Sequence, residues 1–217
     1  MALPRFISRL LSPVADLVLP WYSVDDPWQR YSMTIPAHTF GPGSLHDFSW
    51  YFEGESQVRA DSIDAVCEWL LGCEYVSDQE LFNERDFWQH PRTFERLRQG
   101  DCEDHALWAW RKLVELGIDA ELVSGKCNAR EPNAGYHVWV VFREAGAEFL
   151  LETAAGCRAS MIRPLAEVRD EYRPHVAVNA RFETSAFSGY ILLMQERRER
   201  RRARTRPRPA DADTPAV

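Results

Sequence analysis

The chain can be interpreted from one stretch of its sequence, Gln99-Gly100-Asp101-Cys102-Glu103-Asp104-His105-Ala106-Leu107-Trp108-Ala109-Trp110. Ala106, Ala109, Leu113 and Leu116 recur at helical spacing from this stretch onward, and Gly117 follows where a helix is expected to stop. Cys102 therefore lies in the first turn of a predicted helix. The unpaired N–H groups and the positive end of the helix dipole stabilise an anion at that position. Because a thiolate is an anion and the nucleophilic form of cysteine, this is a favourable place for a reactive sulfur.

Two stretches rich in β-branched and aromatic residues, 136–142 and 147–152, predict a β-hairpin downstream of this helix. We expect a two-residue turn closed by Arg143 and Gly146, which places His137 directly opposite Glu152. Opposed side chains on one sheet face have Cβ atoms about 4.5–5.5 Å apart. A three-residue loop would instead put the two residues on opposite faces. The hairpin is thus predicted to bring a carboxylate against an imidazole.

Cys102, His137 and Glu152 together supply the three groups that thiol catalysis uses. The imidazole would take the thiol proton or hold a thiolate–imidazolium pair. The carboxylate would fix the tautomer of the ring and stabilise its positive form. We therefore interpret the three residues as candidate nucleophile, base and orienting acid.

The same residues resemble the transglutaminase-like superfamily, most closely its bacterial cysteine peptidases. The resemblance rests on Gly-Asp-Cys-Glu-Asp at 100–104, on a histidine that starts a strand, and on an acid 15 residues later. Residues 86–95 are also similar to the segment that leads into the catalytic helix of that family. The resemblance covers roughly residues 62–155. The family usually has Asp at the third position, whereas this chain has Glu152, which is one methylene longer.

The fold expected from these elements and from the resemblance is α+β, of the transglutaminase-like or papain-like cysteine protease type. Its catalytic helix would pack on a mostly antiparallel sheet. The resemblance implies a cysteine-dependent amide hydrolase or acyl transferase that passes through a thioester. We favour a peptidase or amidase with a protein or peptide substrate, and transamidation stays open. A catalytically silent binding or scaffold module is the alternative, since fold does not fix chemistry.

An oxyanion hole is also expected for this chemistry. The backbone N–H of Cys102 would be one donor. The second donor should be an upstream side chain, and Trp69, Trp88 and Gln89 are candidates that the sequence does not rank.

Acidic residues crowd the thiol at Asp101, Glu103 and Asp104. The ordinary interpretation is that they cap N–H groups and complement the helix dipole. Carboxylate oxygens also suit Ca²⁺, and the resemblance implies that some relatives tie calcium to this region, with Asp101 and Glu103 as the candidate ligands here. The predicted chemistry requires no cofactor. Zinc on Cys102 and His105 would need two further ligands, and none stands nearby at suitable spacing.

Composition divides the chain into three predicted regions. Residues 1–60 combine a short arm with an aromatic-rich irregular segment that should pack on the core. Residues 61–196 form the predicted catalytic domain. In it, Ser62 is the predicted N-cap of a helix over 63–71, Pro91 starts a second short helix through Leu97, and residues 163–172 are expected to be helix-like. Residues 197–217 form an arginine-rich tail that is predicted to be disordered. The tail holds eight arginines although the whole chain carries a net charge of −7. The acidic body argues against nucleic-acid binding except through this tail.

The five cysteines are odd in number and contain no C-x-x-C pair. This pattern is typical of reduced thiols in a cytoplasmic protein. The first 20 residues are interrupted by Arg9, Asp16 and prolines, unlike a signal peptide. The sequence contains no run of about 18 apolar residues, so it does not predict a transmembrane helix.

Overall fold

Seven strands pair into one antiparallel sheet in the computed structural model, which describes residues 23–128 and 135–205. The strands are β1 Arg30–Ser32, β4 Asp119–Cys127, β5 Tyr136–Glu144, β6 Ala147–Leu151, β7 Ile162–Pro164, β8 Tyr172–Asn179 and β9 Thr184–Phe187, in the spatial order β1–β9–β8–β4–β5–β6–β7. A separate parallel pair is formed by β2 Glu74–Tyr75 and β3 Gln99–Gly100. The sequence did not predict β1, β2, β3, β7 or β9.

Seven α-helices occur in the described ranges: α1 Ile63–Leu71, α2 Asp78–Leu81, α3 Pro91–Leu97, α4 Cys102–Glu115, α5 Arg158–Met161, α6 Leu165–Val168 and α7 Ser188–Thr205. Two short 3-10 helices, Ala37–Thr39 and Phe48–Phe52, precede them. The predicted helices at α1, α3 and α4 are confirmed. Ser62 caps α1 as expected, because its hydroxyl accepts from the Ala65 N–H at 3.2 Å. None of the described helices combines the length and apolarity that crossing a membrane requires.

Helix α4 is the centre of the larger hydrophobic core. Its apolar face packs against one side of the sheet together with α1 and α3, and Leu107, Trp108 and Leu113 on it are fully buried. A second core on the other side of the sheet includes Trp139 of β5 and Val168 of α6. The expected α+β architecture, with the cysteine-bearing helix packed on a mostly antiparallel sheet, is confirmed.

The aromatic-rich segment before α1 contributes to the core around α4. Phe40, Phe48 and Tyr51 are buried in it. Residues Asp26–Tyr190, which include this segment, form one compact unit. The described residues of a second unit are 23–25 and 191–205. The domain limits at residues 60 and 196 stay predictions.

The β5–β6 hairpin differs from the predicted one in register. Glu144 pairs with Ala147, and the turn is Ala145–Gly146, with φ of 49° and 80°. Two positive φ values are what a type I′ hairpin turn requires, and glycine supplies one of them without strain. The predicted turn lay one residue earlier, so the direct pairing of His137 with Glu152 is wrong by two residues. A shift of two keeps each side chain on its predicted face.

Two further expectations near the C-terminus need correction. The stretch 163–172, expected to be helix-like throughout, forms the end of β7, the short α6 and the start of β8. The tail is not disordered from residue 197, because α7 continues to Thr205. Arginine and glutamate are good helix formers, which explains why the charged run continues the helix. Residues 206–217 of the tail and 1–22 of the arm lie outside the described residues.

Candidate active site

Cys102 is the first residue of α4, separated from β3 by Asp101 alone, and its partly buried thiol is free. The carboxylate of Asp104 organises this helix start. One of its oxygens accepts from the Gln89 backbone N–H at 2.8 Å, and the other accepts from the Asp101 N–H at 3.3 Å. Asp104 thus has the capping role that the sequence suggested for the acids here. Burial raises the pKa of this carboxyl.

His137 and Glu152 are brought together despite the changed register. The Nε2 atom of His137 lies 2.9 Å and 2.8 Å from the two carboxylate oxygens of Glu152. Two further donors fix the carboxylate of Glu152. The Tyr172 hydroxyl donates to Oε2 at 2.8 Å, and the Ala154 N–H donates to Oε1 at 3.2 Å. Glu152 is therefore fixed from three directions, and it orients the imidazole through Nε2.

The electrostatics of this pair favour a charged imidazole. Burial alone would lower the pKa of His137, but hydrogen bonding with Cys102 and Glu152 and the negative charge of Glu152 raise it to about 10. Burial would raise the pKa of Glu152, but the hydrogen bond and charge of His137, with the Tyr172 and Ala154 donors, lower it. At neutral pH the pair is thus an imidazolium and a carboxylate, with the thiol of Cys102 within reach of the imidazolium.

Trp139 shields one side of the imidazole. Its ring is fully buried and stacks near His137 at 6.1 Å between centroids, with 27° between the planes. Strand alternation places Trp139 on the same face as His137. Gly125 makes room for the indole, because a Cβ there would lie 2.6 Å from a Trp139 ring carbon and 2.3 Å from the Arg173 carbonyl oxygen. Excluding water here strengthens the interaction between the imidazolium and Glu152.

A group of carboxylates lies beside the thiol. The Cys102 thiol donates to Oε2 of Glu103 at 3.2 Å. Single ligand atoms of Asp101, Cys102 and Glu103 lie within 4.8 Å of one another, as do those of Asp78, Asp101 and Asp104. Asp78, from the start of α2, was not predicted to be near the site. We call Asp78, Asp101, Glu103 and Asp104 the acidic cluster.

Three members of the acidic cluster, Asp78, Glu103 and Asp104, are buried, and Asp101 is partly buried. Burial raises the pKa of Glu103, and the hydrogen bond with Asp101 and the surrounding negative charges raise it further. Burial also raises the pKa of Asp78, to about 6. One carboxylate oxygen on Asp78 and one on Asp101 are buried without a hydrogen-bond partner. Unpartnered buried oxygens are costly unless a ligand satisfies them, which suits a cation.

The three residues considered as second oxyanion donors have other contacts. Trp69 stacks on Trp108 at 3.9 Å between ring centroids. Trp88 Nε1 donates to an Asp86 oxygen at 3.2 Å. Gln89 Nε2 donates to the Gln99 carbonyl at 3.0 Å and also to the Asp104 carboxylate. The N–H groups of Trp88 and Gln89 are thus committed to structural partners.

His105 has a structural environment and not that of a zinc ligand. Its Nδ1 lies 2.8 Å from the Asp101 carbonyl oxygen, and its ring packs against Phe94 and Tyr75. Burial lowers the pKa of this imidazole. Among the described residues, the clusters of possible ligands around Cys102 do not include His105.

Sequence reasoning missed three residues around the site: Tyr75, Asp78 and Tyr172. They come from β2, α2 and β8, elements whose packing against α4 and the hairpin has no local signature. Only the aromatic or acidic character of each residue was visible in the sequence.

Comparison with known proteins gives one family match, which spans the candidate site. A family model described as the CEP76 peptidase-like domain matches residues 86–187, a little under half of the chain. The matched range contains Cys102, His137 and Glu152. The comparison with curated protein sequences gave no match.

Solved structures give distant similarities. Legionella pneumophila LapG is 16% identical with a TM-score of 0.45, over 86% of this chain and 96% of LapG. Its calcium-bound form is 16% identical with a TM-score of 0.44, over 77% and 83% of the two chains. An EGTA-treated form has 16% identity, a TM-score of 0.43 and coverage of 78% and 82%.

Proposed function

We propose that the chain is a cysteine peptidase or amidase in which Cys102 is the nucleophile, His137 the general base and acid, and Glu152 the orienting carboxylate. The observation that carries the proposal is the double contact of His137 Nε2 with Glu152, at 2.9 Å and 2.8 Å. This contact leaves Nδ1 as the ring nitrogen that serves the thiol. The match of residues 86–187 to a peptidase-like domain supports the same reaction class.

Acylation begins with attack of the Cys102 sulfur on the carbonyl carbon of an amide. In the proposed reactive state the thiol proton has passed to His137, whose pKa is raised by its contacts with Cys102 and Glu152. The C–S bond forms as the carbonyl oxygen becomes an oxyanion. Collapse of this intermediate breaks the C–N bond, and His137 donates its proton to the leaving amine. The product is a thioester on Cys102 and a free amine.

Deacylation returns the site to its starting state. His137, now neutral, takes a proton from a water molecule, which attacks the thioester carbonyl. The C–S bond breaks, a carboxylic acid leaves, and the proton on His137 again pairs with the sulfur. An amine in place of water would give a new amide, so transamidation needs no additional group in the protein. Glu152 stabilises the imidazolium before and after each transfer.

We propose Ca²⁺ as an optional ligand of the acidic cluster. The donor set fits, because it consists of carboxylates and includes one unpartnered buried oxygen on each of Asp78 and Asp101. Asp101 and Glu103 would hold the ion with Asp78. A bound cation would neutralise negative charge beside Cys102, which otherwise disfavours a thiolate. One of the LapG structures is calcium-bound, which is consistent with such a site.

The expected partner is a protein or peptide substrate. A working thiol also needs reducing surroundings, and the five cysteines, all inside the described ranges, are free. We therefore expect the protein to act in the cytoplasm.

Product analysis tests the proposal. Wild-type protein, Cys102→Ala and the matched control Cys127→Ala are each incubated with a tryptic peptide library and a labelled primary amine. Mass spectrometry then records new peptide termini and amine adducts. We expect new termini with the wild type and Cys127→Ala only. Termini that persist in Cys102→Ala would contradict the nucleophile, and amine adducts without new termini would identify a transamidase. Neither product with any protein would favour the scaffold module.

A further inference from the structure

Tyr75 is held along the first turn of α4 by the small parallel sheet. It pairs with Gly100, two residues before Cys102, and the Val76 N–H donates to the Gly100 carbonyl at 2.9 Å. Its ring stacks on His105, with centroids 6.0 Å apart and 29° between the planes. Since Gly100 and His105 flank Cys102 along the chain, the phenol lies across the start of the helix beside the nucleophile.

The Tyr75 hydroxyl is available as a donor. The residue is 57% exposed, and its hydroxyl proton has no acceptor within 23–128 or 135–205. Burial of part of the ring and the negative charges of Cys102, Asp101 and Glu103 raise the pKa of Tyr75, while a hydrogen bond from the Cys102 backbone N–H to the phenol oxygen lowers it. The hydroxyl therefore keeps its proton at neutral pH and lies near both the sulfur and the amide of Cys102.

The Cys102 N–H is directed at the phenol oxygen of Tyr75. The first N–H groups of a helix have no partner within the helix. In the described part of the chain, neither a carbonyl nor a carboxylate accepts from it. The backbone N–H and the phenol O–H thus lie together beside the thiol, and an incoming substrate oxygen would replace the phenol oxygen as the acceptor of the N–H.

We propose that Tyr75 is the second oxyanion donor: its O–H and the Cys102 N–H together bind the carbonyl oxygen that the sulfur attacks. This assignment rests on the proposed function. The hydrogen bonds from both donors become stronger as the oxygen gains negative charge in the tetrahedral intermediate. They therefore stabilise the transition state more than the bound substrate. The phenol keeps its proton throughout. Trp88 and Gln89 cannot fill this role without giving up the hydrogen bonds described above.

A comparison of two reactions at the same sulfur isolates this role. Acylation by p-nitrophenyl acetate passes through an oxyanion, with p-nitrophenolate as the leaving group. Alkylation by iodoacetamide displaces iodide at a saturated carbon and forms no oxyanion. Both rate constants are measured at Cys102 by mass spectrometry for wild type, Tyr75→Phe and Tyr31→Phe. Tyr31 on β1, at the far edge of the sheet, is the matched control.

In Tyr75→Phe we expect acylation to fall at least about tenfold, towards the roughly 100-fold typical of one lost oxyanion donor, with alkylation unchanged. Tyr31→Phe should match the wild type in both reactions. Acylation within about twofold of wild type in Tyr75→Phe would overturn the assignment. An equal fall in both reactions would also overturn it, since Tyr75 would then act on the sulfur itself. If wild-type Cys102 is acylated no faster than the other cysteines, the proposed function fails, and the Tyr75 assignment with it.

Discussion

Glu152 lies diagonally across the β5–β6 hairpin from His137, and its carboxylate still contacts Nε2 of the imidazole at 2.8 Å. Diagonal positions on one sheet face are farther apart than opposed ones. The extra methylene of glutamate spans this distance, and Tyr172 and Ala154 hold the carboxylate at its end. In this hairpin, glutamate is therefore the acid that fits the observed register.

Shortening the acid should weaken the site. In Glu152→Asp the carboxylate withdraws by roughly one C–C bond, about 1.5 Å, and loses contact with His137, Tyr172 or both. Since a hydrogen bond to a charged group contributes about 1.5–3 kcal/mol, we expect Cys102 acylation by p-nitrophenyl acetate to fall about 10–100-fold. Glu152→Gln, which keeps the length and removes the charge, is the matched variant. Wild-type rates in Glu152→Asp would show that the length of the side chain is irrelevant.

Tyr172 should act through Glu152 and not directly on the substrate. Tyr172→Phe keeps the ring against Trp139 and removes only the hydroxyl donor to Oε2. We expect the pKa of His137, followed by NMR titration, to fall, and acylation to slow about tenfold. In a Glu152→Gln background the same change should have a much smaller effect. Additive effects of the two substitutions would contradict this coupling.

The raised pKa of His137 makes folding stability depend on pH. The folded state binds this proton more tightly than the unfolded state, in which the pKa is about 6.5. The stabilisation is therefore complete below pH 6.5 and is lost as the pH rises through the folded value of about 10. Between these values, the unfolding free energy of wild type relative to His137→Gln should fall by up to about 1.4 kcal/mol per pH unit.

Urea denaturation of both proteins at several pH values from 6 to 11 measures this difference. A difference that stays constant, or one that grows with pH, would mean that His137 is not protonated more strongly in the folded protein. The two proteins should have equal m-values if the substitution leaves the folded state compact.

Gly125 should be intolerant of a side chain. A Cβ there would meet the Arg173 carbonyl at 2.3 Å and the Trp139 ring at 2.6 Å, so the strand or the indole must move. We expect Gly125→Ala to lose about 1–3 kcal/mol of stability and to slow Cys102 alkylation, because Trp139 borders His137. Gly156→Ala, where a Cβ would meet nothing within 4 Å, is the control. Equal urea midpoints for the two variants would contradict the packing described.

Calcium should stabilise the protein through the acidic cluster. At about 100 times its dissociation constant a ligand adds about 2.7 kcal/mol, which raises the melting temperature, and EGTA should reverse the shift. Asp78→Asn and Asp101→Asn should abolish the effect, whereas Asp61→Asn, an exposed acid before α1, should not. A shift of the same size in all three variants would place calcium elsewhere.

The sequence predicted the features that depend on local chemistry. The apolar periodicity from Ala106 to Leu113, the Ser62 cap and the proline at the start of α3 are local signals, and the helices there were predicted correctly. His137 and Glu152 were assigned to the correct face because a register shift of two residues conserves side-chain alternation. The exact turn was missed because Ala145 adopts positive φ, which alanine seldom does.

The remaining parts of the site depend on packing between distant segments. Tyr172 reaches Glu152 from β8, and Tyr75 reaches the start of α4 through a two-residue strand. Strands this short carry no periodicity. Part of the acidic cluster could be predicted from the sequence, because Asp101 and Glu103 adjoin Cys102 along the chain. Asp78 joins the cluster only through the position of α2.

The most direct test of the account is the rate of iodoacetamide alkylation at each of the five cysteines, mapped by mass spectrometry in wild type and His137→Ala. If His137 and Glu152 hold an anionic sulfur at Cys102, this residue should react fastest at neutral pH. It should lose that advantage in His137→Ala, while the exposed Cys157 reacts equally in both proteins. Alkylation of Cys102 at the rate of an ordinary thiol in both proteins, with or without calcium, would contradict the central claim.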